Sequence, residues 1–146
     1  MYAPGWREAP PPDVAAPFSD GAVTTAADTT LLRGQLHREL RRRSLPTQAD
    51  EDDVERLLLA FEELTSNGLR HGAPPVSVSV SQGNSGWLIA VSDGATERTP
   101  TPAVDRDPAH GGLGPYLVAR LSAAYGWCTG TGRKEVWACV RTAAAA

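Results

Sequence analysis

Residues 76–93 constrain the fold more than any other part of the chain. In VSVSVSQGNSGWLIAVSD, Val76, Val78 and Val80 alternate with serines, QGNSG supplies a turn, and residues 87–93 make a return run. A period of two puts alternate side chains on opposite faces of a strand, and two such runs joined by a short turn form an antiparallel hairpin. Helices in a sheet of hairpins gather on one face, so the expected class is α+β: a two-layer sandwich, mostly antiparallel, covered on one face by three helices.

The helices follow from a different period. Leu31, Leu32, Leu36 and Leu40 recur at helical spacing from Asp28 to a stop at Leu45 and Pro46, interleaved with Arg33, Arg38, Arg41, Arg42 and Arg43. Cations at a helix C-terminus suit the macrodipole, which makes this run a solvated or partner-facing helix end. A second helix begins in the acidic residues 50–53, carries the stripe Val54, Leu57, Leu58, Phe61, Leu64, Thr65 and Gly68, and stops at Gly72 before Pro74 and Pro75. A third starts at Pro115, with Leu117, Val118, Leu121, Ala124 and Tyr125 as its apolar stripe. Two short strands around Gly130 and Gly132 close the chain, and a first strand is expected near Val23.

Length and charge limit the functions available. The 146 residues suit one domain with one core. A balance of 14 Lys and Arg against 17 Asp and Glu leaves no general footprint for nucleic acid or anionic membrane. Cys128 and Cys139 form no CxxC and no zinc pattern, and read as buried, reduced thiols. With no basic region followed by an apolar run at the N-terminus, the protein is expected in the cytoplasm. Residues 1–17, with five prolines, read as an extended or disordered tail, residues 18–142 as the domain, and residues 143–146 as an alanine tail.

Three features could carry chemistry. In EELTSNGLRHG, Glu63, Asn67 and His71 stand four residues apart and share one helix face, either solvated or lining a site. Asp93 belongs by alternation to the bulky face of Trp87, Ile89 and Val91, where a carboxylate must be paired or accept hydrogen bonds; it either caps the turn with Gly94 or meets a ligand amine. In HGGLGPYLV, glycines run into a helix start, as in a flexible loop or a phosphate cradle. Residues 94–111 form a long polar, proline-rich loop.

Together and in this order, these motifs resemble the nucleotide site of the GHKL (histidine kinase-like) ATPases, and in particular the bacterial anti-sigma factor serine/threonine kinases of the actinobacterial type. EELTSNGLRHG is similar to the N-box E-x-x-x-N-x-x-x-H-G, VSDGA stands for the D-x-G box, and GLGPYLV for the G-x-G-L-x-L-V box. The resemblance covers about residues 20–140.

That resemblance implies a Bergerat-type ATP-binding fold with ATP and Mg²⁺ as cofactors. Asn67 would be the metal ligand and Glu63 the catalytic base. Asp93 would take the adenine amine, Gly112, Leu113 and Gly114 would offer backbone N–H groups to the phosphates, and His71 and Ala95 would complete the nucleotide site. Residues 95–111 would be a lid. Implied partners are a sigma factor and an anti-sigma factor antagonist, in a possible homodimer, with no direct contact to nucleic acid or membrane. The alternative is a non-catalytic, ATP-dependent protein-binding module. Four positions depart from the family pattern: Ala95 for glycine, Pro115 for leucine, His110 for arginine, and Glu135 where relatives often carry a threonine beside the adenine.

Overall fold

The computed structural model describes residues 7–96 and 114–145. The elements are β1 (Ser19–Val23), α1 (Ala26–Arg42), α2 (Glu51–His71), β2 (Val76–Gly83), β3 (Gly86–Asp93), α3 (Gly114–Leu121), β4 (Ala124–Gly130) and β5 (Arg133–Arg141). The strands form one sheet in the order β1-β2-β3-β5-β4, and every pairing is antiparallel. The expected α+β sandwich is therefore the observed fold.

Local chemistry sets the helix boundaries. Thr25 and Asp28 form a capping box at the start of α1, so the helix opens two residues before Asp28. Asp50 and Asp53 do the same for α2. α2 is the central helix: it packs on β2, β3 and β5 and against both α1 and α3. Leu57, Leu58, Phe61 and Leu64 are buried beneath it. Each contributes about 1.5–3 kcal/mol, which outweighs the roughly 1 kcal/mol helix cost of Gly68. Gly68 in turn allows close approach to the sheet, because a Cβ there would lie 2.8 Å from Val91 Cγ1.

The central hairpin is in register from Ser77 opposite Ser92 to Gly83 opposite Gly86. Gly86 has φ of +157° and closes the turn where a side chain would meet the Val140 carbonyl. Trp87 Nε1 donates to Gln82 Oε1 at 3.0 Å, and Gln82 Nε2 donates to the Ser44 carbonyl at 2.8 Å, tying the hairpin to the loop after α1.

Several expectations are corrected. Leu31 is 59% exposed, because the buried stripe of α1 runs through Thr29, Leu32, Leu36 and Leu40, and Leu31 sits a third of a turn away. Ala124 and Tyr125 are not helical; α3 ends at Leu121 and they begin β4, paired with Cys139 and Ala138. Cys128 and Cys139 are free, as expected, but half-buried.

Part of the proline-rich segment, expected as an extended or disordered tail, pairs with the sheet edge. The Glu8 backbone bridges to Trp127 in parallel, Ala9 N–H donates to the Trp127 carbonyl at 2.8 Å, and Trp137 Nε1 donates to the Ala9 carbonyl at 2.9 Å. At the other end, Ala143 N–H donates to Asp53 Oδ1 at 2.9 Å, so the alanine segment is anchored at its start. No helix among the described residues is long and apolar enough to cross a membrane.

Candidate functional site

The C-terminal half of α2 holds Glu63, Asn67 and His71 at the edge of the buried stripe, all three half-buried. They form a rim between core and surface. Asn67 Oδ1 is buried and has no hydrogen-bond partner among the described residues. Leaving such an acceptor unpaired costs about 1–3 kcal/mol, so the oxygen is suited to an incoming ligand. As a hard neutral oxygen donor it fits Mg²⁺, which keeps most of its waters and takes few protein ligands. Glu63, one turn earlier, makes no hydrogen bond or ion pair among the described residues.

Asp93 lies at the end of β3 with its side chain 2% exposed. Its Oδ1 accepts from Ala95 N–H at 2.6 Å and from Ala73 N–H at 3.3 Å, while Gly94 N–H donates to the Ala73 carbonyl at 2.7 Å. The carboxylate thus caps its own turn and ties it to the segment leaving α2. Oδ2 is differently placed: Lys134 Nζ lies 3.7 Å away, close enough for charge pairing but beyond hydrogen-bond range. One oxygen is structural, and the other still has acceptor capacity.

Gly72 brings the helix end and Asp93 together. A Cβ at Gly72 would lie 2.6 Å from Asp93 Cγ and 2.6 Å from the Gly68 carbonyl oxygen, so a glycine is needed for the contact. Two of the three sequence features are therefore parts of one wall. Ala95 is buried beside them at 8% exposure. Of the third feature, Gly112 and Leu113 lie outside the described residues, as do residues 97–111, on which the expected lid falls. Gly114 opens α3, which packs against α2 and β5, with Val118 fully buried.

Sequence reasoning missed Lys134. It stands directly opposite Asp93 in the β3–β5 ladder, on the face shared with Val136, Ala138 and Val140. Alternation along β5 carries that signal, but only once the register with β3 is known. The same register corrects the placement of Glu135, which is paired with Ser92 and points to the opposite face, lining a groove of about 390 Å³ with Ser77, Ser79 and Asp20. Burial there pushes its carboxyl up from the ordinary value.

The antiparallel sheet carries α2, with the end of that helix set against Asp93 at the close of β3. The model of the histidine kinase-like ATPase domain matches residues 23–140. The chain belongs to that family. Among solved structures it is similar to the RsbU and RsbW domains of Rv1364c from Mycobacterium tuberculosis, with a TM-score of 0.56 and 19% identity. That match covers 87% of this chain and 33% of the other, so the chain spans about a third of its neighbour's length. No curated protein matches it.

Proposed function

We propose that this chain is a cytoplasmic, Mg·ATP-dependent serine/threonine protein kinase of the anti-sigma factor type, which regulates transcription by partner switching. It phosphorylates an antagonist protein and otherwise sequesters an alternative sigma factor. Family membership supports nucleotide binding, and the neighbour's printed title, which includes an RsbW domain, supports the choice of subfamily. The observation that carries the reading furthest is the unpartnered, buried Asn67 Oδ1 one turn after an uncommitted Glu63.

In this reading Asn67 holds the metal through Oδ1. Bound Mg·ATP supplies the transferable phosphoryl group with part of its charge neutralised. Glu63 orients the attacking hydroxyl and accepts its proton. Asp93 keeps Oδ1 on the turn and offers Oδ2 to the exocyclic amine of adenine. Ala95 and His71 wall the site. Gly112, Leu113 and Gly114 offer backbone N–H groups to the phosphates.

Labelled ATP incubated with the protein and candidate antagonists should give transfer that depends on Glu63. Absence of transfer to every antagonist encoded by the same organism would overturn the kinase reading. The non-catalytic alternative is supported by the departures from the family pattern at Ala95, beside the proposed adenine site, and at His110, before Gly112. It predicts that Glu63→Ala keeps both regulation and ATP affinity; loss of regulation with ATP and partner affinity intact excludes it.

A further inference from the structure

We propose that the face of the sheet turned away from the helices is a docking site for proline-rich segments, occupied in cis by residues 7–14 and open to another protein when that strap lifts. The site is separate from the nucleotide wall and does not depend on it. Pro10, Pro11 and Pro12 follow Ala9 without interruption. Each ring fixes its own φ and holds the residue before it extended, so the run has little freedom to lose on docking. Prolines offer carbonyls but no N–H donors. A surface that reads such a run supplies aromatic area and a donor for a carbonyl.

Trp137 supplies both. It stands on β5 between Ala90 and Gly126 on the neighbouring strands, on the face away from the helices, yet is only 5% exposed. Its Nε1 donates to the Ala9 carbonyl at 2.9 Å. Gly126 makes the shelf: a Cβ there would lie 2.9 Å from Trp137 Cζ2 and 3.0 Å from the Arg7 carbonyl oxygen, so a side chain would meet both ring and strap. The β4 edge sets the register. Trp127 N–H donates to the Arg7 carbonyl at 3.2 Å, and Ala9 N–H donates to the Trp127 carbonyl at 2.8 Å.

Beyond these bonds the strap is loosely seated. Pro12, Asp13 and Val14 stand over a cavity of about 360 Å³ whose other walls include Leu88, Cys139 and Arg141, and Val14 is 44% exposed. The chain then reaches β1 at the opposite edge of the sheet, where Phe18 N–H donates to the Val80 carbonyl at 3.0 Å. Lifting residues 7–14 would therefore uncover Trp137 and leave β1 in place. Tethering favours the strap over any free segment, because a short linker holds it at an effective concentration in the millimolar range. The competing partner is a segment with the same pattern: a residue with a free N–H immediately before a run of prolines.

The probe is a fluorescein-labelled peptide of residues 7–15, REAPPPDVA, titrated by anisotropy into full-length wild type and full-length Ala9→Pro. The substitution removes the N–H that bonds Trp127 and leaves the sheet residues unchanged. Ala9→Pro should bind the peptide about tenfold or more tighter than wild type, whose own strap competes for the seat. A peptide with its three prolines replaced by alanine should bind weakly, and adding Trp137→Phe to Ala9→Pro should abolish binding. In ¹⁵N-tryptophan spectra of Ala9→Pro, the Trp137 indole N–H should exchange faster than in wild type, and the peptide should restore its protection. Equal peptide affinity of wild type and Ala9→Pro overturns the proposal. So does an indole that exchanges freely in Ala9→Pro while no peptide binds, since the strap would then be structural only. Indole protection unchanged by Ala9→Pro overturns it as well, as does an alanine peptide that binds as tightly as the proline one. A wild-type dimer that Ala9→Pro dissolves would seat a second copy's strap on this face and overturn the arrangement in cis.

Discussion

The two ends of α2 are built on opposite terms. At its start, every carboxylate oxygen of the buried Asp53 is used: Oδ2 accepts from Asp50 N–H at 2.9 Å, and Oδ1 accepts from Ala143 N–H and from Arg56. Arg56 also donates to the Arg141 carbonyl at 3.2 Å, so helix start and chain end are clamped together. Toward its end, the helix carries Thr65 Oγ1 and Asn67 Oδ1 with no partner among the described residues, and Glu63 with none. Both ends lie on the same core, so packing does not explain the difference. Most buried polar groups are paired, so the open ones at this end are candidates to meet a ligand, although Thr29 and Thr142 Oγ1 are open elsewhere among the described residues.

The contrast breaks most visibly if the open end proves inert. Glu63→Ala should cut phosphoryl transfer by roughly 10²–10⁴-fold, the range for loss of a general base, while the thermal midpoint barely moves. Asn67→Ala should abolish the Mg²⁺-dependent part of ATP affinity, read by calorimetry with and without the metal. Its stability should stay within about 1 kcal/mol of wild type or rise, because no existing hydrogen bond is lost. A large destabilisation by Asn67→Ala would mean that Oδ1 is paired after all, and the comparison would fail.

The closed end should behave in the reverse way. Asp53→Ala removes a capping box, an ion pair and the anchor of Ala143, and should cost about 2–4 kcal/mol in urea unfolding with ATP affinity intact. Although burial works to raise its pKa, backbone donation from Asp50 and Ala143 and the Arg56 guanidinium hold Asp53 below the ordinary value of 3.8. A depressed carboxyl contributes stability that is complete above the unfolded value and lost as pH falls through the folded one. Below about pH 4, wild type should therefore lose stability more steeply than Asp53→Asn. Equal acid limbs would show that the clamp does not depend on charge.

The same division separates what the sequence makes legible from what it hides. The two long helices are marked by local chemistry, with the acidic start of α2 and Gly72 at its exit, and the hairpin by its alternating valines. Asp93 is legible for a similar reason, since alternation from Trp87 needs no knowledge of other strands. The residues that went astray depend on a partner distant in sequence. Ala124 and Tyr125 follow a short apolar run that suits either period, and only pairing with β5 makes them strand. Lys134 and Glu135 exchange faces according to register with β3, which no local pattern reveals. The docking of Ala9 on Trp137 joins residues at opposite ends of the chain. Leu31 is a different error: a neighbour of the true stripe taken as part of it.

The finest test of the comparison uses two adjacent carboxylates of α2. Glu62 is exposed and pairs with Arg33 at 3.3 Å, the two side chains being 50% and 35% exposed. A pair this open to solvent is worth no more than about 1 kcal/mol and fades with salt. Glu63 is one position further, rotated toward the rim and unpaired among the described residues. Glu62→Ala should therefore shift the urea midpoint slightly, less so in high salt, and leave phosphoryl transfer at the wild-type rate. A loss of transfer as deep as that of Glu63→Ala would show that transfer depends on the summed negative charge of this turn and not on the place of Glu63. The four-residue line of Glu63, Asn67 and His71 would then carry no positional meaning.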